Sequence, residues 1–492
     1  NFTGHGGELG WTEERILGLD DISTWSNENR LPLFMTATCE FSRYDDPSRN
    51  SAGEEVFLKE KAGAIALFST SRIVFTSGNM DLNRAFLAQI FEENEDGTRP
   101  TMGDLFRKTK NTVSNISSTN HRNFTLLGDP ALCLAYPKHQ IVLTEVQDSI
   151  KALGTVKMRG KVVDENGNLL SDFNGEVYPK VYDKSITYQT LGQDASPILD
   201  FDLQNALIFK GKSSVVNGEF AFEFIVPKDI SYNYGNGKVS LYAVGTVNGE
   251  LTDAAGFNKA FLIGGTSEQF IDDLEGPQIS LFINDTLFQN GGLTDENPDL
   301  LALLYDENGV NTIGNGIGHD AIAILDENTT NPVVLNDYYE SDIDSYQSGE
   351  IRYPFTELED GLHTLSVKVW DVFNNSSEAH TEFVVSSSQS LSIENLMNHP
   401  NPMANFTAFY FEHNQVNLPM DVTLEIIDMQ GRVINILQDR LVPEGYRYGP
   451  LRWNGKSSDG IHLSSGIYLY KVVATAQNGE ILEKSAKLII SK

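Results

Sequence analysis

The sequence predicts an α/β unit followed by three modules built from β-sheet. Up to about residue 140, nearly unbroken apolar runs alternate with helix-forming segments, an order typical of a parallel α/β sheet. From about Ile141, short alternating runs are separated by turn signals, a pattern typical of β-sandwiches. A Gly-Pro break at 276–277 and a serine-rich stretch at 386–390 divide this second region. We therefore predict units at residues 1–140, 141–276, 277–388 and 389–492.

The α/β unit has two clear strand candidates, Arg30–Thr38 and Ala62–Ser69, which are apolar almost throughout. Strands buried on both faces have this composition. Helical spacing predicts helices over Ser51–Lys61 and Asp81–Glu92. A sheet of this type usually has about five or six strands, and the segment from Asn1 reads like the end of a strand. We therefore expect an incomplete sheet here, in a chain that continues a longer polypeptide.

The β modules are predicted from alternation and turns. Lys157–Val163 and Gly218–Phe224 alternate apolar and polar residues, and Gly361–Asp371 does so in the next module. Asn-Gly recurs at 166–167, 217–218 and 248–249, and this dipeptide favours type I′ hairpin turns because both residues tolerate positive φ. The serine-rich stretch at 386–390 has the composition of a polar linker, so a last module of about 100 residues should follow it.

Charge and cysteine content exclude several functions. The 492 residues include 36 Lys and Arg against 68 Asp and Glu, a net charge of −32, which argues against nucleic acid and anionic lipid as partners. Two cysteines, Cys39 and Cys133, exclude a disulfide-rich scaffold and an all-cysteine zinc site. The longest apolar run, about Ala62–Phe68, is too short for a membrane span of roughly 20 residues, and no signal peptide is visible at Asn1.

A histidine and a cysteine stand where chemistry can occur. His5 lies in Gly4-His5-Gly6-Gly7, a flexible turn, and Cys39 directly follows the Arg30–Thr38 strand. Parallel strands end side by side, so the thiol and the imidazole can meet. The thiolate would attack a carbonyl, His5 would handle the proton, and the backbone amides of Gly6 and Cys39 would bind the oxyanion. The alternative is a small buried cysteine and an incidental histidine, because a lone Cys–His pair is weak evidence.

The remaining candidates favour structural roles. Cys133 lies in an apolar run, Ala131–Tyr136, which predicts a buried inert thiol. His319 lies in a β module without a nucleophile, which favours a turn or packing role. Asp164–Gly167 and Asp306–Gly309 begin like calcium loops but lack the ligand spacing of an EF-hand, so hairpin turns are expected. Calcium can still bind as a structural ion elsewhere, at ligands that the sequence does not name.

Several stretches resemble the gingipain-type cysteine peptidases: Gly4–Gly7 with Trp11, Leu33–Phe41 and Leu126–Leu132. The resemblance covers roughly residues 1–137. It implies the C-terminal portion of a caspase-like α/β domain, a Cys39 nucleophile, a His5 partner and no required cofactor. The family's third, acidic catalytic residue lies upstream of the histidine motif and should be absent from this chain. Glu8 and Glu40 are therefore not assigned that role.

Within that family, the type IX secretion sortases are the closer match. The stretches that carry this resemblance are Thr38–Asp45, Gly318–Asp320, Leu335–Tyr339 and Trp370–Ser377. Near the end of the chain, further stretches resemble the type A C-terminal sorting domain of type IX secretion substrates: Asn398–Met403, Val422–Val433, Trp453–Gly460 and Ser465–Val472. The resemblance implies export across the outer membrane and residence at the cell surface of a Bacteroidetes-type bacterium.

The same resemblance implies partners. They are cargo proteins, contacted at the sorting-domain junction, the outer-membrane barrel protein PorV, which shuttles such tails, other subunits of the attachment complex, and the upstream portion of the same protein. The leading hypothesis is a cell-surface endopeptidase and sortase that removes sorting domains and transfers cargo to lipopolysaccharide through a Cys39 thioester. The alternatives are a secreted gingipain-like protease without transpeptidation, and a non-catalytic surface subunit in which Cys39 and His5 are relics.

Overall fold

The computed structural model describes residues 1–95, 97–113, 119–193, 196–268, 272–312, 318–388 and 390–491. Within them the chain divides into two compact units, Asn1–Tyr136 and Pro137–Lys492. The first is mixed α/β and the second is built from β-sheet, which confirms the predicted fold class. Residues 389 and 492, the ends of the last predicted module, lie outside the described ranges. Over those ranges, no helix has the length and apolar character of a membrane span.

The first unit contains short strands and helices. Its strands are β1 (Phe2–Thr3), β2 (Gly6–Gly7), β3 (Gly10–Trp11), β4 (Leu17–Gly18), β5 (Leu33–Ala37), β6 (Ala66–Thr70) and β7 (Phe124–Leu127). Its helices are α1 (Leu19–Thr24), α2 (Ala52–Leu58), α3 (Thr76–Gln89), α4 (Met102–Thr112) and α5 (Thr119–Asn123). The predicted strands and helices correspond to β5, β6, α2 and α3, but α3 begins at Thr76 rather than Asp81. The sequence pattern did not predict α4, α5 or β7.

The central sheet of this unit has the strand order β1-β5-β6-β7. β1 is parallel to β5, and β5 is parallel to β6, as predicted. β7 departs from the predicted parallel order, because it pairs with β6 in the antiparallel direction and sets Phe124 opposite Thr70. The amide of Ser71 donates to the carbonyl of Asn123, 2.9 Å away. β7 thus begins at the end of the sheet where β6 ends, and therefore runs antiparallel to β6.

Each face of this sheet is covered by helices. Adjacent residues in a strand point to opposite faces, and Leu67 and Phe68 in β6 belong to different buried clusters. Phe68 packs in one cluster with Phe86 of α3 and Leu105 of α4. Leu67 packs in the other with residues of α1 and α2. Burial on both faces explains why the two sequence segments are apolar almost throughout.

The second unit begins with a region whose strands are β8 (His139–Glu145), β9 (Ser149–Ala152), β10 (Thr155–Val163), β11 (Asn174–Tyr182), β12 (Ile186–Gln189), β13 (Asp200–Leu203), β14 (Leu207–Lys210), β15 (Ser213–Val215), β16 (Glu219–Ile225), β17 (Gly235–Asn236), β18 (Lys238–Val247), β19 (Glu250–Asn258) and β20 (Leu262–Thr266). One sheet has the order β14-β11-β18-β19-β8-β10-β16, with β15 on β11, and another has the order β17-β20-β9. Both contribute to one apolar core. β12 and β13 pair only with each other among the described strands, as an exposed ribbon.

Two further regions follow in the second unit. The next has β21 (Gln278–Ile283), β22 (Gly292–Thr294), β23 (Asp299–Tyr305), β24 (Ile322–Leu325), β25 (Val333–Val334), a 3₁₀ turn (Asn336–Tyr338), β26 (Tyr339–Ser341), β27 (Ser348–Pro354), β28 (Gly361–Trp370) and β29 (Ser376–Val385). The last has β30 (Ile393–His399), β31 (Thr407–His413), β32 (Met420–Ile427), β33 (Val433–Leu441), β34 (Arg447–Trp453), β35 (Gly466–Ala476) and β36 (Ile481–Ile490).

Each of these two regions encloses its own core between a pair of sheets. The sheets of the first are β21-β23-β27-β26 and β22-β29-β28-β24-β25, and those of the last are β30-β31-β34 and β33-β32-β35-β36. Leu300 and Phe383 are buried in one core, and Phe409 and Tyr470 in the other. Side chains that alternate between a buried and an exposed face, as in β32 and β35, produce the period-two pattern seen in the sequence.

The Asn-Gly turns agree with prediction at two positions of three. Asn217 and Gly218, and likewise Asn248 and Gly249, all have positive φ, as type I′ turns require. At 166–167 only Gly167 has positive φ, so that turn is not type I′. There the Asp164 carboxylate accepts the amides of Asn166 and Asn168, 2.9 and 2.8 Å away, and this side chain organises a wider loop.

Candidate active site

The strands before His5 and Cys39 end side by side. In the parallel pairing of β1 and β5, Phe2 lies opposite Thr36 and Thr3 opposite Ala37, an offset of 34 positions (36 − 2). The same 34 positions separate His5 from Cys39 (39 − 5). The Gly4 amide donates to the Ala37 carbonyl at 3.4 Å, which continues the pairing beyond the strands. The two loops therefore leave the sheet at the same edge.

His5 lies at the beginning of a small hairpin. β2 and β3 pair Gly6 with Trp11, and the His5 carbonyl accepts the amide of Thr12 at 3.0 Å. The Trp11 ring stacks on Phe2 with centroids 4.3 Å apart and contacts Phe41 at 5.7 Å. This packing attaches the hairpin to the sheet below it. The His5 side chain is exposed, and within the described residues its imidazole has no hydrogen bond.

Cys39 is half-buried, and its loop lies along the segment that leaves β6. The Cys39 thiol donates to the Val74 carbonyl at 3.5 Å. The Glu40 amide donates to the Arg72 carbonyl at 3.4 Å, and the Thr70 hydroxyl donates to the Thr38 carbonyl. The thiol thus has a backbone carbonyl as its partner. The structure brings the two loops to one edge, but it contains no hydrogen bond between the side chains of Cys39 and His5.

Two buried asparagines support this arrangement. The Asn79 amide group in α3 donates to the Ala37 carbonyl at 3.1 Å, and Asn120 donates to the Asn79 side chain at 2.9 Å. Asn120 also exchanges hydrogen bonds with the backbone of Phe75, the residue after Val74. Neither residue is predicted from the sequence, because Asn79 precedes the helix predicted over Asp81–Glu92 and enters the structure only as part of the longer observed helix α3.

The backbone is tightly constrained on both sides of the candidate site. Glu40, directly after Cys39, has φ of +53°, a left-handed conformation that costs about 1 kcal/mol or more for a residue with a side chain. Gly6 has no room for a side chain, since a Cβ there would lie 2.5 Å from the Thr38 hydroxyl oxygen. Glycine at position 6 therefore lets the His5 loop approach the residue before Cys39.

Buried polar atoms without a partner surround the same loops. Within the described residues they include the indole nitrogen of Trp11, the hydroxyls of Thr12, Thr38 and Ser42, and Nε of Arg43. Most buried polar groups in proteins are hydrogen-bonded, and exceptions mark strain, function or bound water. These atoms are buried, so they are not exposed to a substrate in this structure. The sheet edge offers a thiol and an imidazole, two components of a nucleophilic acyl-transfer site.

Cys133 is exposed, so the prediction of a buried inert thiol is wrong. The apolar run around it does not form a strand, and an isolated bridge to Thr101 is its backbone pairing. The thiol donates to the Arg99 carbonyl at 3.8 Å. His319, expected in a turn or packing role, packs on Trp370 with ring centroids 4.4 Å apart, and its Nδ1 lies 2.5 Å from Asp229.

One carboxylate cluster can hold a cation. Among the described residues, Asp273, Asp306 and Asp371 bring carboxylate oxygens within 4.8 Å of one another. Burial raises the pKa of Asp306 to about 6 and also raises that of Asp371. Oxygen atoms in such a group suit calcium. The Asp306–Gly309 stretch is therefore more than the plain hairpin turn predicted, because Asp273 and Asp371 approach it from distant positions in the chain.

Comparison with known proteins shows a similarity to one peptidase family. Residues 1–135 match peptidase family C25. No curated protein matches the chain. Among solved structures, dimeric latent PorU from Porphyromonas gingivalis is 28% identical, with 88% of this chain and 41% of that chain covered and a TM-score of 0.35.

Two gingipain structures also match. The Arg-specific cysteine proteinase gingipain R (RgpB) is 16% identical, with 52% of each chain covered and a TM-score of 0.26. The complex of the P. gingivalis RgpB pro- and mature domains is 15% identical, with 52% of this chain and 53% of that chain covered and a TM-score of 0.26. The chain thus spans less than half the length of the PorU chain that it matches. Residues 1–135 thus resemble peptidase family C25, and the chain is similar to PorU and the gingipains.

Proposed function

We propose that this protein is a cell-surface cysteine endopeptidase and sortase that removes the C-terminal sorting domains of type IX secretion cargo. Cys39 is the nucleophile and His5 its proton-transfer partner, and the backbone amides of Gly6 and Cys39 bind the oxyanion. The reaction uses a thiol and an imidazole and requires no cofactor. The match of residues 1–135 to peptidase family C25 supports the cysteine peptidase chemistry.

The proposed reaction proceeds in two steps. The Cys39 thiolate attacks the carbonyl carbon before the sorting domain, the carbon–nitrogen bond breaks, and His5 gives a proton to the departing amine. The cargo is then bound to Cys39 as a thioester. In the second step, an amine of the surface lipopolysaccharide attacks the thioester and gives up a proton, and the Cys39 thiolate is released. Attack by water instead would give simple hydrolysis.

The observation that carries this proposal is the register of β1 and β5. Their offset of 34 equals the separation of His5 and Cys39, so both loops leave one sheet edge, where active sites of parallel sheets form. In the structure the thiol contacts the Val74 carbonyl. Catalysis therefore requires the Cys39 thiol to leave this carbonyl and the imidazole and the thiol to approach each other.

We propose that the last module is the signal that directs export of the protein. Residues 391–492 include the stretches that resemble a type A sorting domain, which supports export to the extracellular face of the outer membrane of a Bacteroidetes-type bacterium. We propose PorV and other attachment-complex subunits as partners of this module, and cargo and the rest of the same protein as partners of the peptidase unit.

A Cys39→Ala substitution in the full-length protein tests the proposal in cells. Cargo should keep its sorting domain, and the product in which cargo is joined to lipopolysaccharide should disappear, because the thioester cannot form. The matched control is Cys133→Ala, which removes the exposed thiol of the same unit and should leave both readouts unchanged. Immunoblots of cargo and mass spectrometry of its new C-terminus measure the two outcomes.

The same experiment separates the alternatives. Unchanged cargo processing in the Cys39→Ala strain would contradict the proposal of an enzyme and favour a non-catalytic surface subunit. Processing that depends on Cys39 but yields only free carboxyl ends would favour a gingipain-like protease without transpeptidation.

A further inference from the structure

Glu8, three residues after His5, attaches the histidine loop to the segment that follows Cys39. Its side chain is only 13% exposed, and Oε1 lies 2.5 Å from Nη1 of Arg43. The second oxygen, Oε2, lies 3.4 Å from Nε of Arg49. The Glu8 carbonyl also accepts the amide of Ala52 at 2.6 Å. All three partners lie in residues 43–52, directly downstream of the cysteine loop.

Arg43 continues this connection to the neighbour of the thiol. Its Nη1 lies 3.7 Å from Oε1 of Glu40, and Glu40 adjoins Cys39 with a left-handed backbone. The hydrogen bond and charge of Glu8 raise the pKa of Arg43. Two ion pairs, Glu8–Arg43 and Arg43–Glu40, therefore connect a residue three positions after His5 with the residue directly after Cys39. A mostly buried carboxylate that loses its charge would leave two arginines without their shared partner.

The molecule contains a second ion pair that serves as a comparison. Asp45 and Arg72 pair through both guanidinium nitrogens, and both side chains are about half-exposed. That pair joins the segment after Cys39 to the segment after β6 and does not involve the histidine loop. Exposed ion pairs contribute little to stability. Glu8 differs in its burial and in spanning the two loops proposed to react.

We propose that Glu8 is a positioning residue, which holds the His5 loop against the Cys39 loop through Arg43 and Arg49. It does not orient the imidazole directly, because both of its oxygens face guanidinium groups. Its effect on the thiol is transmitted by the position of His5. The inference rests on the proposed function for the roles of His5 and Cys39.

The test measures how fast iodoacetamide alkylates each cysteine of the full-length protein, peptide by peptide, by mass spectrometry. Cys133 is the internal reference, because it lies in the same unit and outside the site. Glu8→Gln should lower the rate at Cys39 about ten-fold, toward the rate in His5→Ala, and leave Cys133 unchanged. Glu8→Asp, which keeps the charge, should recover part of the rate, and Asp45→Asn should behave like the natural protein.

The double variant Glu8→Gln/His5→Ala distinguishes positioning from general stabilisation. If Glu8 acts through His5, the double variant should react no more slowly at Cys39 than His5→Ala alone, because coupled effects are not additive. A normal Cys39 rate in Glu8→Gln, alongside a slow rate in His5→Ala, would overturn the role of Glu8 only. A normal rate in His5→Ala would overturn the proposed function, and the role of Glu8 with it.

Discussion

Two irregular stretches of backbone differ sharply in how their polar groups are satisfied. Around Cys39, buried polar atoms of Trp11, Thr12, Thr38, Ser42 and Arg43 have no partner within the described residues. Between the second and last β modules, the described residues of the serine-rich stretch, 386–388 and 390, all have hydrogen-bonded carbonyls. The two buried residues that follow β31, Asn414 and Gln415, hold these residues in place, in a stretch whose composition predicts a polar linker.

The contacts at this junction are specific. The Asn414 side-chain nitrogen lies 3.2, 2.9 and 2.7 Å from the carbonyl oxygens of Ser386, Ser387 and Ser390. Gln415 donates to the carbonyl of Ser388 at 3.0 Å, and Glu296 accepts the Ser388 amide at 2.8 Å. Nε2 of His413, next to Asn414 in the chain, is buried without a partner within the described residues, so the junction has one such atom where the loops around Cys39 have five. The comparison indicates that the junction is held mainly by hydrogen bonds, whereas the loops at the sheet edge keep more polar atoms unpartnered.

To test this comparison, we expect the largest loss in the rate of sorting-domain removal from Gly6→Ala. An added Cβ would lie 2.5 Å from the Thr38 hydroxyl and 2.9 Å from the Gly10 carbonyl, so it would force the His5 loop away from the Cys39 loop. Displacement of a reacting group by about 1 Å can cost about 100-fold in rate. We expect a loss of about that size in the rate of sorting-domain removal.

Gly7→Ala is the matched control for this prediction. A Cβ at Gly7 would meet no atom within 4 Å, so the rate should stay within about two-fold of the natural protein, since the loop geometry that positioning requires is unchanged. Equal losses in the two variants would show that the hairpin tolerates no side chain anywhere. In that case the close contact between Gly6 and Thr38 would not explain the effect.

A smaller effect is expected on the free energy of unfolding when the pH is lowered, because of His413 at the junction. His413 is fully buried, and burial lowers its pKa from 6.5 to about 4. Its Nδ1 accepts the amide of Gln415 at 3.2 Å. Between these two pKa values the unfolded chain binds a proton and the folded chain does not, so stability is present above pH 6.5 and is lost as the pH falls. The free energy of unfolding should drop by about 1.5 kcal/mol between pH 6.5 and pH 5.

Urea unfolding of the natural protein and of His413→Gln at both pH values checks this prediction. The variant lacks the titrating group, so its free energy of unfolding should fall by about 1.5 kcal/mol less over the same interval. Parallel losses in the two proteins would show that His413 does not control the acid sensitivity of this region.

Much of the site could be predicted from local pattern. The apolar run before Cys39 indicates a strand buried on both faces. The glycines around His5 indicate a turn, but Gly6 and Gly7 form the short strand β2 instead. Parallel strands then bring the two residues to one edge, because a sheet aligns the ends of its parallel strands. The Asn-Gly turns at 217–218 and 248–249 could also be predicted from local sequence, since their geometry depends on two residues that tolerate positive φ.

The remaining features depend on contacts between distant residues, which no local pattern contains. Asn414 holds Ser390 of the serine-rich stretch through a hydrogen bond. Asp273 and Asp371 lie beside Asp306 and form a carboxylate cluster with it. The burial of Cys133 was predicted wrongly, because its apolar run does not enter a sheet. The sequence assigns no role to Glu8, because its contacts with Arg43 and Arg49 join positions that are distant in the chain.

The central claim is that Cys39 becomes covalently attached to cargo. The most direct test mixes the full-length protein with a cargo peptide that spans the sorting-domain junction, stops the reaction with acid, and maps the adduct by mass spectrometry. The account predicts that the Cys39 peptide gains the mass of the cargo portion before the junction, that hydroxylamine removes it, and that Cys133 gains nothing. Cleavage of the peptide without any adduct at Cys39, or with an adduct at Cys133, would contradict the account.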